Sequence, residues 1–126
     1  MTGLLDTSVL VGLEQRRLTT EALPAQASVS VLTLEELWLG VLMAAPDRRD
    51  DRRTTYALAA ARFHVLAVDV VVARTSAQIR AEGRGRGRRY DLADSLIAAT
   101  ALVHELSVYT QDAGMLGMLG VDVRLV

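Results

Sequence analysis

The sequence predicts an α/β protein whose parallel sheet is covered by helices on both faces. Short apolar runs alternate with longer helical stretches along the whole chain of 126 residues. Strands joined by helices lie parallel, because each crossover returns the chain to the same end of the sheet. The length and the hydrophobic content of 51% favour a single domain that spans residues 1–126.

The first two elements follow from the N-terminal residues. Gly3–Asp6 is a short apolar run that ends at an acid, which is typical of a buried strand. A helix is predicted from there to Gln15. Thr7 or Ser8 is its expected N-cap, because a hydroxyl oxygen accepts well from the free backbone N–H groups of a first turn.

The second strand is predicted at Ser28–Val31, where polar and apolar residues alternate. Thr33 and Glu36 stand three residues apart, the spacing of a capping box, which predicts that a helix begins at Thr33. This helix ends before Pro46, since proline disfavours helical backbone in the residue that precedes it. The later predicted elements are a helix at Asp47–Phe63, a strand at Val65–Val68, a helix at Val71–Glu82, a flexible loop at residues 83–89, a helix at Asp91–Glu105, a strand at Ser107–Thr110, a short helix at Asp112–Leu119 and a strand at Val121–Val126.

The composition excludes several classes of function. The chain has no cysteine, so disulfide scaffolds, thiolate zinc sites and cysteine nucleophiles are ruled out. The net charge of −1 disfavours nucleic-acid binding by bulk charge alone, and all 14 basic residues are arginine. The longest apolar run, Leu37–Ala45, is about half of the roughly 18 residues that a spanning helix needs, and no signal peptide is predicted. A soluble cytoplasmic protein is therefore expected.

Four acidic residues are predicted to meet at one edge of the sheet. Asp6 and Asp112 follow the first and fourth strands, and Glu36 and Asp94 lie in the first turns of helices that begin at the same edge. Glu36 is preferred to its neighbour Glu35, because adjacent helical residues point about 100° apart and only one can face the cluster.

Such a cluster is costly unless protons or a cation neutralise it, because neighbouring carboxylates repel one another. All-oxygen ligation favours Mg²⁺ or Mn²⁺, and these cations polarise phosphoryl oxygens and activate water. Each acid alone, however, is more often a helix cap than a metal ligand. The pattern by itself leaves both interpretations open.

The sequence around these acids resembles, in order, the four motif blocks of PIN-domain ribonucleases. The blocks are Leu4–Leu10, Ser30–Leu37, Asp94–Ala101 and Tyr109–Asp112. The match looks closest to the VapC toxins of bacterial toxin–antitoxin (VapBC) pairs, and it covers nearly the whole chain.

The resemblance implies a PIN-like three-layer α/β/α sandwich with a central, mostly parallel five-stranded sheet in the order 3-2-1-4-5. It implies an endoribonuclease that depends on Mg²⁺ or Mn²⁺, cleaves structured RNA such as tRNA or rRNA with a metal-activated water, and leaves a 3′-hydroxyl and a 5′-phosphate. The implied partners are the RNA, a cognate VapB-type antitoxin and a second copy of the chain. The family's catalytic and metal-binding acids fall on Asp6, Glu36, Asp94 and Asp112.

Three further residues are expected to support this site. Thr110 matches a hydroxyl position of the family, and Thr7 directly follows Asp6. Asp91 lies one helical turn before Asp94, where a helix cap is its preferred role. Gln111 departs from the family pattern, because many relatives have an arginine there, and one local positive contact is left unassigned.

A glycine–arginine segment, residues 83–89, lies directly before the helix that contains Asp94. Mobile arginines in this position would bind RNA phosphates, and a solvated linker is the equally weighted alternative. The mixed-charge run Asp47–Arg53 is interpreted instead as a solvated helical face. The candidate RNA-binding residues are Arg84, Arg86, Arg88 and Arg89.

The helix that contains Leu37–Met43 is apolar on every side, so it must be buried all round. Trp38, Leu39 and Leu42 are therefore predicted at an interface with a dimer mate or an antitoxin, since aromatic and large apolar residues anchor interfaces. The alternative is that the next helix of the same chain covers them.

Three other functions compete with the ribonuclease. A phosphoacceptor signalling domain has a similar length and a Mg²⁺ site, but it needs a lysine that this chain lacks. A phosphatase of the Asp-x-Asp type needs a second acid where Ser8 stands. A catalytically silent PIN-like module that binds RNA or protein stays open, because it would keep all four acids.

Overall fold

A five-stranded parallel sheet lies at the centre of the computed structural model, which describes residues 2–126. The strand order is 3-2-1-4-5, and each neighbouring pair in it is parallel. The predicted order is confirmed, and among the described residues the sheet is wholly rather than mostly parallel. The strands are β1 (Thr2–Leu5), β2 (Gln26–Ser30), β3 (His64–Leu66), β4 (Ser107–Thr110) and β5 (Val123–Leu125).

Helices cover both faces of this sheet, as predicted. They are α1 (Thr7–Glu14), α2 (Val31–Met43), α3 (Pro46–Arg62), α4 (Val70–Gly85) and α5 (Leu92–Val103). Successive residues of a strand point to opposite faces, so Leu4 packs with α4 and α5 while Leu5 packs with α1, α2 and α3. Both leucines are fully buried, and each face therefore has its own apolar core.

Helix α2 begins earlier than the sequence predicted, and the proposed capping box is wrong. Ser30 is the N-cap, and its hydroxyl accepts a hydrogen bond from the backbone N–H of Leu32 at 3.1 Å. Thr33 is consequently a fully buried residue inside the helix. Glu36 makes no capping hydrogen bond, so its carboxylate is free to face the neighbouring helix α1.

The predicted cap of α1 is also wrong. Asp6 occupies the N-cap position of this helix, although its side chain accepts no hydrogen bond from the first-turn N–H groups. Thr7 and Ser8 lie inside the first turn, where their hydroxyls donate to carboxylates instead of accepting from the N–H groups of that turn. The reason is that strong acceptors lie next to both hydroxyls.

The bounds of β4 are as predicted, the other strands differ from theirs by one or two residues at each end, and two later segments differ from the prediction in their structure. Helix α4 extends through Gly85, so the first three residues of the glycine–arginine segment are helical. The helix predicted at residues 112–119 is reduced to one 3₁₀ turn at Ala113–Met115. Gly117 and Gly120 have φ angles of 84° and 73°, which no continuing α-helix allows.

Among residues 2–126, no helix combines the length and the apolar character that are needed to cross a membrane.

Candidate active site

An open cleft at the carboxyl edge of the sheet contains all four predicted acids. Asp6 follows β1 and Asp112 follows β4, and these two strands are direct neighbours. Glu36 reaches the same cleft from the second turn of α2, and Asp94 reaches it from the first turn of α5. The complete lining is Asp6, Thr7, Ser8, Val11, Arg17, Glu36, Asp94, Gln111 and Asp112.

Asp6 is the most enclosed of the four acids, with only 5% of its surface exposed. Its Oδ2 atom accepts two hydrogen bonds, from the hydroxyls of Ser8 at 2.8 Å and Thr110 at 2.7 Å. These donors stabilise the carboxylate in its charged form and fix its rotamer. The other oxygen, Oδ1, accepts no hydrogen bond from the described residues and is available to a ligand in the cleft.

Thr110 connects two of the acids. Its buried hydroxyl donates to Asp6 and accepts from the backbone N–H of Asp112 at 2.9 Å. One side chain thus fixes both the carboxylate that follows β1 and the backbone of the acid that follows β4.

Replacement of Thr110 by valine is expected to lower metal affinity or activity by about 10- to 100-fold, the usual effect of losing a group that orients a ligand. Valine has nearly the shape of threonine, but it leaves the Asp112 N–H without its acceptor and Asp6 with one donor. Thr110→Ser keeps the hydroxyl and is the matched control. Calorimetric titration with Mn²⁺ measures the effect, and equal affinities for both variants would show that the hydroxyl does not orient the acids.

Ser8 also supports the site, and sequence reasoning missed this role. Besides donating to Asp6, its hydroxyl accepts from the backbone N–H of Gln111 at 3.0 Å and lies 3.3 Å from the Thr110 hydroxyl. Ser8 therefore joins the start of α1 to the segment after β4. The only signal in the sequence was the position of a hydroxyl two residues after the acid.

Glu36 faces the cleft, whereas the adjacent Glu35 is exposed to solvent. Thr7 donates its hydroxyl hydrogen to Oε1 of Glu36 at 2.7 Å. Burial raises the pKa of Glu36 above its usual value, and the charge of Asp6 adds to the rise, although the Thr7 hydrogen bond opposes it. The expected choice between the two glutamates thus agrees with their placement, although the capping argument for it was wrong.

The surroundings of Asp94 change its pKa strongly. Burial, followed by the charges of Asp6 and Asp112, raises its pKa from 3.8 to about 7. Asp91 and Glu36 contribute smaller repulsions. Asp91 itself is the N-cap of α5 and accepts from the backbone N–H of Asp94 at 3.3 Å, which is the expected cap role.

The donor set fits a hard divalent cation in its chemistry. Its potential ligands are carboxylate, hydroxyl and amide oxygens. Burial, together with neighbouring negative charges, raises the pKa of Asp94, so a cation in the cleft would relieve an unfavourable repulsion. Within residues 2–126, no three His, Asp or Glu side chains are already arranged to hold a metal ion. The carboxylates repel one another in this arrangement, and a cation would have to draw them closer together.

The glycine–arginine segment is attached to the loop that contains Asp112. Arg88 donates to the carbonyl oxygens of Leu116 at 3.0 Å and Gly114 at 3.4 Å, and Arg86 donates to that of Gly117 at 3.0 Å. The expectation of a flexible loop over residues 83–89 is therefore wrong for these two arginines. They link the end of α4 to the loop that positions the fourth acid.

Arg17 is a second residue that sequence reasoning missed. It lies just after α1, lines the cleft, and donates from Nη1 to Oε1 of Gln111 at 2.7 Å. Gly12 makes this contact possible, because a Cβ atom at that position would lie 3.0 Å from the Gln111 oxygen. The family pattern pointed to an arginine at residue 111 itself, and here glutamine holds an arginine from another element.

Comparison with known proteins assigns the chain to a family. The model of the family described as PIN domain matches residues 3–117. The chain belongs to the PIN-domain family. This PIN domain is 39% identical over 123 residues to ribonuclease VapC4 of Mycobacterium tuberculosis, an alignment that covers 96% of this chain and 94% of the relative.

Solved structures resemble this PIN domain over nearly their whole length. A member of the VapBC family of toxin–antitoxin systems, VapBC-5 from Mycobacterium tuberculosis, has 35% identity and a TM-score of 0.84, and the match covers 99% of this chain and 97% of that chain. FitAcB from Neisseria gonorrhoeae has 29% identity and a TM-score of 0.78, with coverage of 98% and 96%. The resemblance seen in the four motif blocks is thereby confirmed at the level of the family.

Proposed function

We propose that this PIN domain is an endoribonuclease and the toxin component of a toxin–antitoxin system. The observation that carries the proposal is the cleft in which Asp6, Glu36, Asp94 and Asp112 come together from four separate segments. The names of its relatives support the same activity, since ribonuclease VapC4 aligns over almost the entire chain.

The proposed cofactor is Mg²⁺ or Mn²⁺, held by the four acids directly or through water. When bound, such a cation neutralises charge on a phosphodiester and makes water a better nucleophile at neutral pH. The chain itself contributes fixed oxygen donors. Asp6 is held by Ser8 and Thr110, and Glu36 is held by Thr7, so these two carboxylates keep their orientation when RNA arrives.

The proposed substrate is a structured RNA such as tRNA or rRNA, and hydrolysis leaves a 3′-hydroxyl and a 5′-phosphate. Structured RNA presents its phosphates in a defined shape, which suits an open cleft whose walls are polar side chains.

The proposal is tested by incubating the purified protein with total tRNA and rRNA in Mg²⁺, in Mn²⁺ and in EDTA. Discrete fragments that disappear in EDTA are the expected result, and their end groups are identified by ligation and phosphatase treatment. If no cleavage is seen while calorimetry detects Mn²⁺ binding, the silent RNA- or protein-binding module becomes the better interpretation. Absence of both cleavage and Mn²⁺ binding would contradict the metal site as well.

The proposed protein partners are a VapB-type antitoxin and a second copy of the chain. Several relatives of known structure are toxin–antitoxin complexes, which supports the first of these. Trp38, Leu39 and Leu42 are exposed by 43%, 51% and 62%, so they form an apolar surface that the rest of the chain leaves uncovered. Tyr56 of α3 contacts the Trp38 ring at a centroid distance of 5.0 Å but covers only part of it.

The role of the glycine–arginine segment in RNA binding stays a prediction. Arg84 and Arg89 are exposed and extend from the segment into solvent. Arg86 and Arg88 already donate to carbonyl oxygens of the 114–117 loop, and Arg86 also pairs with Glu82. Any contribution of the segment to phosphate binding is therefore assigned to Arg84 and Arg89 first.

A further inference from the structure

Arg17 belongs to two adjoining hollows of the surface. One is the acidic cleft, and the other is a polar groove between the end of α1 and the start of α3. The groove is lined by Glu14, Gln15, Arg17, Arg48 and Arg52. Three guanidinium groups and one carboxylate give it a net positive charge, directly beside a cleft that is lined by four acids.

The backbone of Arg17 is fixed by the way in which α1 ends. Arg16 adopts a φ of 60°, and the N–H of Arg17 donates to the carbonyl of Gly12 at 2.8 Å, while the N–H of Arg16 donates to Leu13 at 3.1 Å. These two bonds form a Schellman motif, which is usually closed by glycine. A left-handed arginine is unfavourable, so this turn is held by its surroundings and places Arg17 reproducibly.

The side chain of Arg17 is fixed as well. Its Nε donates to the Gln15 side chain at 3.1 Å and its Nη1 donates to Gln111 at 2.7 Å. Both partners are neutral amides, and within residues 2–126 Arg17 takes part in no ion pair. A guanidinium that is oriented by neutral groups keeps its full charge and has N–H donors left for an anion.

The other two arginines of the groove are only weakly engaged. The Arg48 side chain is exposed and makes no hydrogen bond or ion pair within residues 2–126. Arg52 lies 3.8 Å from Glu14 and donates to the Gly40 carbonyl at a long 3.4 Å. Contacts of this length on the surface contribute little, so both side chains can turn toward a phosphate.

We propose that Arg17, Arg48 and Arg52 bind consecutive phosphates of the RNA on one side of the cleavage site, with Arg17 holding the phosphate nearest to the four acids. This inference rests on the proposed ribonuclease function. It revises the interpretation of residues 47–53 as a solvated face only, because Arg48 and Arg52 face the groove. It also assigns to Arg17 the positive contact that glutamine at residue 111 cannot make.

Salt-dependent RNA binding tests the proposal independently of cleavage. The probe is a fluorescent single-stranded RNA of about 20 nucleotides, since non-specific binding depends on phosphates and not on sequence. Asp94→Asn is used as the common background so that the probe stays intact. Arg17→Gln retains an amide that can bond to Gln111, and Arg53→Ala is the matched control because Arg53 is exposed on the same helix as Arg52 and lines neither hollow.

Each lost phosphate contact lowers the slope of log Kd against log salt by about 0.7 on single-stranded RNA. We expect a decrease of that size for Arg17→Gln, about three times as much for the variant that also carries Arg48→Ala and Arg52→Ala, and no change for Arg53→Ala. In the cleaving protein, Arg17→Gln should raise KM more than it lowers kcat. Slopes that stay equal to that of Arg53→Ala would overturn the proposal and leave Arg17 as a structural link between α1 and Gln111.

The two proposals fail in different ways. Absence of cleavage by the unmodified protein contradicts the ribonuclease function. The slopes of log Kd against log salt then still show whether the three arginines bind RNA phosphates. Normal cleavage with unchanged slopes contradicts only the phosphate groove.

Discussion

Replacement of Asp6 by asparagine is expected to lower the RNA cleavage rate by about a thousandfold or more, because a divalent cation contributes several kcal/mol and each 1.36 kcal/mol is a factor of ten in rate. Asparagine keeps the shape of the side chain and one acceptor oxygen for Ser8 and Thr110. It removes the negative charge in the buried position where that charge is held most firmly. The fold should not lose stability, since the substitution also removes repulsion with the neighbouring acids.

The matched control for this substitution is Asp69→Asn. Asp69 is also an acid that follows a strand, and it caps α4 by accepting from the backbone N–H of Val72 at 2.9 Å. Asparagine caps helices about as well as aspartate, so this variant should retain both stability and cleavage. Initial cleavage rates and thermal unfolding of the two variants distinguish the loss of a metal ligand from a loss of stability. Cleavage by Asp6→Asn at the unmodified rate would exclude Asp6 as a metal ligand.

The pH dependence of metal binding is the second large expected effect. In the metal-free protein the pKa of Asp94 is raised to about 7, so the folded state holds a proton that the unfolded state has lost. Stability in EDTA should therefore fall as pH rises from about 4 to about 7, since the folded state binds more protons than the unfolded state in this window. Glu36, whose pKa is also raised, changes stability in the same direction.

A cation must displace the proton on Asp94, so its affinity should rise about tenfold for each pH unit below about 7 and level off above that value. Titration calorimetry with Mn²⁺ in buffers of different ionisation enthalpy measures both the affinity and the number of protons released. In the Asp94→Asn variant this release should decrease, and only the contribution of Glu36 should remain. An affinity for the unmodified protein that stays constant between about pH 5.5 and about pH 7 would show that the cation displaces no proton from Asp94 in this range.

The order of the elements was predictable because it depends on local properties of the sequence. In β1 and β4, two adjacent apolar residues are followed directly by a polar one, and Pro46 marks the boundary between two helices whatever the position of the sheet. The helix boundaries that were predicted wrongly depended on which of several nearby residues caps the helix. Ser30 rather than Thr33 caps α2, because its hydroxyl reaches the N–H of Leu32 directly at the end of β2.

The four acids were predictable for a similar reason, since each lies beside a predicted strand end or helix start and in a family motif. Of the residues around them, Thr7 and Thr110 were expected to support the site, whereas Ser8 and Arg17 were not. Ser8 contacts Thr110 and Arg17 donates to Gln111, and both partners lie more than 90 positions later in the chain. No periodicity in the sequence reports a hydrogen bond of that range. Arg17 also lies in a polar loop, where an arginine is common and its sequence context gives no sign of a role in the site.

The hydrogen bond between Thr110 and Asp6 joins residues that are 104 positions apart. Contacts of such range form late, because a long loop of chain must close before they are gained. β1, the central strand of the sheet, has only β2 as a neighbour until β4 has been synthesised and has paired with its other edge. For an enzyme of the proposed kind, this means that a growing polypeptide on the ribosome has no complete site, so the RNA of the translation machinery is not exposed to cleavage by unfinished chains.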